Sequence, residues 1–386
     1  MNTFMGFERQ DGSVGVRNYV AVLPSVACAN GVAAAISRGV PEAVPLYHGH
    51  GCGRAGADLE IHQRTLANIA KNPNVAAVLV VGLGCEVISA AALTLLTSLA
   101  KKPVENIVIQ NEGGSRRAAE KGIGIVRRML ADAAHLDRRE FPVSALRVGL
   151  ECGGSDAFSG VTANPGVGIV ADWLVAQGGT VVLTETTEMI GTGNILARRA
   201  KSPEVARAIV ERIDAAEKRT HELLGPMASY VIAPGNMDGG MSSIQEKSLG
   251  CIVKAGGSTI SQVVNYAEPP AEKGLVIMDG PGYDIESMAG VAAAGCQVML
   301  FTTGRGNPIG FPVVPVIKIA STSRLFRSME DDMDVNAGAV LEGKGLDKVA
   351  DEIRGLLVRV ASGEQTKAEI NRQDGIICPW TMHSSF

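Results

Sequence analysis

Short runs of Val, Ile and Leu alternate along the chain with longer segments of helical periodicity, and this alternation predicts parallel strands joined by crossover helices. In the first part NYVAVLPSV, AVPLYH, AAVLVVGLG and ENIVIQN read as strands. ANGVAAAISRG, ADLEIHQRTLANIAK and SAAALTLLTSLAKK read as helices between them. EGGSRRAAEKGIGIVRRMLADAAHLDRREF reads as a long helix ending in a charged stretch, after which the pattern begins again. The second part offers ALRVGLEC, GTVVLTE, ASYVIAP, STISQVVN, KGLVIMD, CQVMLFTTG and PVIKIAS as strands, with helices such as SPEVARAIVERIDAAEKRTHELL and LDKVADEIRGLLVRVASG. The expectation is an α/β protein of parallel Rossmann-like sheets in two domains, residues 1–143 and 144–386, the second with about seven strands. A length of 386 residues is long for one core and supports that division.

Composition narrows the function. Apolar residues make up 46% and charged residues 20%, so the chain can bury a core. A net charge of -4 with scattered Lys and Arg, and only 4% aromatics, argue against nucleic acid. No apolar stretch reaches the roughly 18 to 20 residues that cross a bilayer. The start, MNTFMGFERQDGS, lacks a signal-peptide pattern, so a cytoplasmic location is expected. Seven cysteines, an odd number, then read as reduced thiols rather than a disulfide framework.

Open parallel sheets bind ligands at the carboxyl ends of their strands, and the chemistry gathers there. Cys28, Cys52, Cys85 and Cys152 each follow an apolar run, whereas Cys251, Cys296 and Cys378 do not. In ECGGSDAFSGVTANP, Cys152, Ser155 and Asp156 offer a thiol, a hydroxyl and a carboxylate, while Gly153 and Gly154 let backbone N–H groups approach an anion. The competing reading makes Cys152 a small buried hydrophobe and Asp156 a helix cap. YHGHGCGR packs His48, His50, Cys52 and Arg54 together: imidazoles for metal or proton transfer, a guanidinium for a carboxylate. No CxxC or HExxH spacing marks a standard zinc site. Glu86 and Glu112, the latter beside Asn111, end neighbouring strands; either they face one cleft, to bind a divalent cation or shift each other's protonation, or Glu86 simply caps the following helix. The loop Thr302 to Asn307, with Thr303, Gly304 and Arg305, reads as an anion cradle and is neither a Walker loop nor a dinucleotide fingerprint. Glu185, Glu188, Asp279 and Asp284 stand at other strand ends, and Lys247 and Lys254 would serve as bases only if burial depressed their pKa.

The segments DGSVGVRNYV, HGHGCG, NPNVAAVLVVGLGCE, ECGGSDAFSGVTANP, FTTGRGNPIGFPVVPVIK and MDVNAG, in that order over essentially the whole chain, resemble the D-galactarate dehydratase and altronate dehydratase family. That resemblance implies a metal-dependent lyase stimulated by iron under reducing conditions. It also implies a variant Rossmann-like carboxy-terminal domain and a preceding domain that can mediate dimerisation. Full-length members carry a small amino-terminal β-clip domain, whereas DGSVGVRN begins here at residue 11, so a separate small subunit is expected. Split members include the sulfolactate sulfo-lyases, whose large subunit resembles this chain. The cysteines of HGHGCG and GLGCE favour a hydroxy acid dehydratase over a sulfo-lyase, and a non-catalytic sugar-acid-binding subunit is the third reading.

Dehydration of a sugar acid such as galactarate or altronate to a 2-keto-3-deoxy acid requires loss of the proton alpha to the carboxylate and departure of the beta hydroxyl. His48 or His50 is expected to move the proton, with Lys247 as a further catalytic candidate. Arg54 and Arg305 are expected to clamp carboxylates, and Gly153, Gly154, Ser155, Asn111, Thr303 and Gly304 to line the substrate site. Cys52, Cys85, Cys152, Asp156 and Glu185 are candidates around Fe2+ or Mn2+, with an iron-sulfur cluster ranked third. All are expected in one pocket.

Overall fold

The computed structural model describes residues 2–230 and 232–385. The chain opens with β1 (Thr3–Glu8) and β2 (Val14–Gly15), then forms β3 (Tyr19–Pro24), β4 (Val44–Pro45), β5 (Val75–Gly82) and β6 (Val104–Val108). These last four make a parallel sheet in the order β4-β3-β5-β6. Every residue of β5 is buried because helices cover both faces, which is why it reads as an unbroken apolar run. A short strand, β7 (Arg139–Pro142), follows the long helix Ser115–Ala133 and pairs antiparallel with β1, while β2 pairs on its other side.

The larger sheet comprises β8 (Arg147–Cys152), β9 (Thr180–Leu183), β10 (Ile260–Val264), β11 (Gly274–Met278), β12 (Val298–Thr303), β13 (Val316–Ala320) and β14 (Val335–Asn336). All its pairings are parallel, in the order β10-β11-β9-β8-β12-β13-β14. The chain steps from β8 to one side through β9, then returns to the other side at β12. The crevice outside the carboxyl ends of β8 and β12 is therefore the topological switch point, where such sheets bind ligands.

Two expectations fail for physical reasons. ASYVIAP is no strand: Gly225–Tyr230 is a 3-10 turn, Val231 lies outside the described residues, and Pro234 opens the helix Pro234–Asp238. Proline suits a first helical turn and cannot donate to a sheet ladder. The charged tail of the long helical segment yields β7, whose partner lies at the far end of the domain and leaves no local signal.

The helices Gly56–Lys71 and Asp284–Ala293 bring the two sheets together. Arg64 Nε donates to the Tyr266 carbonyl, the Tyr266 hydroxyl donates to the Glu286 carbonyl, and further along Asn72 Nδ2 donates to the carbonyls of Ala292 and Cys296. The helices thus run in the same direction, and the carboxyl edges of both sheets open on one side of the molecule. One apolar cluster spans the junction, with Leu23, Leu66 and Val78 packed with Val276, Met299 and Phe301. The DGSVGVRN stretch has a structural job: Arg17 grips both oxygens of Glu369 and the carbonyls of Val16, Val360 and Glu364.

Candidate functional site

At the switch point lies a cavity of about 480 Å³, lined by Cys152, Gly153, Gly154, Glu188, Lys247, Asp284 and Arg305 among others. The glycines are dictated by space. A Cβ on Gly153 would strike the Asp284 carboxylate and Phe301, and Gly154 adopts φ +58. The Gly154 carbonyl accepts from the N–H groups of Gly304 (3.0 Å) and Arg305 (2.7 Å), which ties the two rim loops together. Asp284 takes a hydrogen bond from Asn307 Nδ2 at 2.6 Å. Burial, reinforced by Glu188, pushes the Asp284 carboxyl up to about 6.

The cavity floor is a buried array of charge. Cys152, Glu185, Glu188 and Cys251 offer donor atoms within 4.8 Å of one another, a set that could hold a metal ion. The Lys254 amine lies 3.1 Å from Cys152 Sγ and pairs with Glu185, with neither side chain of that pair exposed. Lys247 pairs with Glu188. Burial alone would push the Lys254 ammonium down, but Cys152, Cys251, Glu185 and Glu188 together hold it well above the usual lysine value. The hydrogen bond to Cys251, then burial, push the Cys152 thiol up. Burial, and then Cys152, push the Glu185 carboxyl well above its ordinary value while Lys254 pulls it down, so Glu185 and the Cys152 thiol both favour their protonated forms. A divalent ion would have to displace the Lys254 ammonium and strip those protons, so the array as built does not fit one. Glu185 itself sits in the left-handed region (φ 69, ψ 54), a strained conformation for a side-chain-bearing residue and one that clusters at functional sites.

Of the residues expected at the site, Cys152, Gly153, Gly154, Lys247 and Arg305 line this cavity, and Glu185 lies just beneath it. Ser155, Asp156, Thr303 and Gly304 support its rim rather than face it. Asp156 accepts from the Ser159 amide and hydroxyl and from the Ser321 hydroxyl, as a turn-capping carboxylate does, and the Thr303 hydroxyl accepts from the Gly306 amide. His48, His50, Cys52, Arg54, Cys85 and Asn111 do not line the cavity. They lie in the loops after β4, β5 and β6, at the carboxyl edge of the smaller sheet. The expected single pocket is thus two groups on one face.

His48 is built into that smaller edge. Its Nε2–H donates to the Pro24 carbonyl at 2.6 Å and its Nδ1 accepts from the His50 amide, the tautomer these partners require. Burial pulls its pKa to about 4. His50 stacks edge-on against His62 at 4.4 Å, and Arg54 donates to the His383 carbonyl.

Cys251 escapes a reading that looks only at strand ends, and Lys254, weighed there only as a base of depressed pKa, is instead held charged. Their signal is a spacing of i, i+4 and i+7 for Lys247, Cys251 and Lys254, which sets all three on one side of the helix Ile244–Ile252 and its 3-10 extension Val253–Ala255. Asp284 opens the helix after β11 and reaches the cavity from the strand beyond β9.

Known proteins resemble this chain along nearly its whole length. The family described as D-galactarate/Altronate dehydratase, C-terminal, matches residues 143–384, and that described as D-galactarate dehydratase/Altronate hydrolase, second domain, matches residues 6–134. The altronate dehydratase of Bacillus subtilis is 38% identical over 96% of this chain and 76% of its own length. The altronate dehydratase of Escherichia coli is 35% identical over 95% of this chain and 75% of its own. The (2R)-sulfolactate sulfo-lyase subunit beta of Chromohalobacter salexigens is 36% identical over 95% of this chain and 94% of its own. With matches of this extent to both of its family models, the chain belongs to the D-galactarate/altronate dehydratase family.

Proposed function

We propose that the protein is a hydro-lyase that removes water from a sugar acid such as galactarate or altronate to give a 2-keto-3-deoxy acid. The observation that carries this reading is the switch-point cavity of a family dehydratase, with an exposed arginine at its rim and lysine-carboxylate pairs at its wall and floor. Arg305 takes the substrate carboxylate with its planar fork. Asp284, titrating near neutrality, removes the alpha proton. Loss of that proton builds an enediolate, whose extra charge the largely buried Lys247 and Lys254 ammoniums stabilise. Lys247 is no base here: burial is outweighed by Glu188 and then Cys152, which hold it charged, so it donates to the departing hydroxyl. The enol then tautomerises to the keto acid. No step in the cavity runs through Fe2+ or Mn2+, because Lys254 already supplies its cation.

A protein named as a beta subunit, matched over 94% of its length, supports a multi-subunit enzyme, and we propose a small β-clip partner. The same match keeps sulfolactate elimination as the second reading. The purified chain, with and without a small β-clip protein, is incubated with iron, a thiol reductant and a panel of aldarates, aldonates and sulfolactate. Keto acid without sulfite from a sugar acid supports the dehydratase. Sulfite from sulfolactate alone overturns it in favour of the lyase, and tight binding without either product overturns it in favour of a binding subunit.

A further inference from the structure

We propose that Cys28, Cys52 and Cys85 hold an iron-sulfur cluster of the 4Fe–4S type at the carboxyl edge of the smaller sheet, with the fourth iron open to solvent and to an oxygen ligand. This site is distinct from the cavity of the larger sheet and stands whether or not the reading of that cavity holds. Free cysteine is among the most buried of residue types, and an exposed thiol is a liability that surfaces avoid. Yet three of the seven cysteines are exposed, and all three stand here. Cys28 follows β3, Cys52 follows β4 and Cys85 follows β5, and in the order β4-β3-β5 these are three adjacent parallel strands.

Their loops are bound to one another, so the thiols share one neighbourhood. The Ala27 amide donates to the His50 carbonyl at 2.8 Å, and the Ile88 amide donates to the Gly51 carbonyl at 3.1 Å. The Ser25 hydroxyl donates to Glu86 Oε1 at 2.6 Å. Gly51, at φ +107, packs so closely on Ser25 and Val26 that a Cβ would strike both. Each cysteine lies two to five residues before a helix start, at Asn30, Gly56 and Ala90. Three helix starts thus lie around the place where the anionic sulfide core would sit.

Spacing separates a cluster from a single ion. Thiolates around one tetrahedral ion lie about 3.8 Å apart, given metal–sulfur bonds of about 2.3 Å. Among the described residues these three sulfurs do not form a group within 4.8 Å, as the Cys152 array does. A cubane spreads its thiolates wider. Three thiols for four irons also leave one iron without a protein sulfur, as an oxygen-binding site requires. Assembly forms three iron–thiolate bonds and releases three protons. The iron, two ferrous and two ferric per cluster, and four sulfides come from the medium.

The test is anaerobic reconstitution of the full chain with ferrous and ferric iron and sulfide, followed by iron and sulfide analysis and visible absorption. The expected result is a visible chromophore with iron and sulfide in about equal amounts, about four of each per chain. Cys28→Ser, Cys52→Ser and Cys85→Ser each lose it at least about tenfold while keeping the parent's circular dichroism, whereas Cys152→Ser and Cys251→Ser retain it. Iron without sulfide, no iron on a folded chain, a chromophore surviving all three substitutions, or its loss in Cys152→Ser would each overturn the assignment.

Discussion

Replacing Lys254 by methionine isolates the electrostatics of the cavity floor. The substitution keeps an unbranched chain of similar length and removes the ammonium that faces Glu185 and Cys152 in full burial. Breaking a buried pair by removing one partner costs about 3 to 5 kcal/mol. Burial and then Cys152 already push the Glu185 carboxyl up while Lys254 pulls it down, and without Lys254 the acid escapes by holding a proton taken from the solvent. That escape costs about 1.4 kcal/mol for every pH unit above an ordinary glutamate value of 4.5. At pH 5 the proton is nearly free, about 0.7 kcal/mol, and at pH 8 it costs about 4.8 kcal/mol, close to the full penalty. A carboxyl whose folded-state pKa lies above its unfolded value loses stability as pH rises between the two. Denaturant unfolding of parent and Lys254→Met at pH 5, 6, 7 and 8 should therefore show a gap that widens with pH. The double variant Lys254→Met with Glu185→Gln should remove both the slope and most of the gap. An equal gap at pH 5 and pH 8 would refute a charged Lys254 facing Glu185.

Four further outcomes follow from the same geometry. Asp284→Asn should lower kcat at least about a hundredfold in the keto acid assay, and the parent's kcat/KM should rise with pH through about 6, where this base loses its proton. Arg305→Ala should raise KM by about ten- to a hundredfold, the worth of a charged hydrogen bond, with a smaller effect on kcat. Asn74→Ala should destabilise the chain by about 3 kcal/mol or more in a melting experiment, because its amide serves the buried carbonyls of Gln297 and Val313 and the Val16 amide. Gly304→Ala should lower both stability and activity, since its Cβ would collide with the Asp156 carboxylate that fixes the rim turn.

Much of the fold was legible because both parallel sheets are covered on two faces, and continuous apolar runs such as VAAVLVVG and YVAVLP announce that burial locally. The antiparallel β1 and β7 were illegible because each is short, half-exposed and defined only by a partner more than a hundred residues away. At the site, the rim glycines and Cys152 were readable from strand-end position alone. Cys251 was not, and Lys254 and Asp284 were named without a place in this cavity, because all three come from the helices around the switch point, and only the fold says which helix side faces the cavity. His48 shows the opposite error: a residue rich in chemical promise whose two nitrogens are both used to hold a turn.

The division of the expected pocket into two places follows from charge. Around the larger sheet's cavity, Lys254 pairs with Glu185 and Lys247 with Glu188, so each buried ammonium already occupies an acid that a metal would otherwise take. At the smaller sheet's edge the three thiols have neither an ion-pair partner nor burial among the described residues. A group needing thiolate ligands and solvent access belongs at the second place, and a group needing a buried, prepaid electrostatic field for an enediolate belongs at the first. Both open on the same side because Gly56–Lys71 and Asp284–Ala293 run in the same direction, so a small partner seated across that side would touch both.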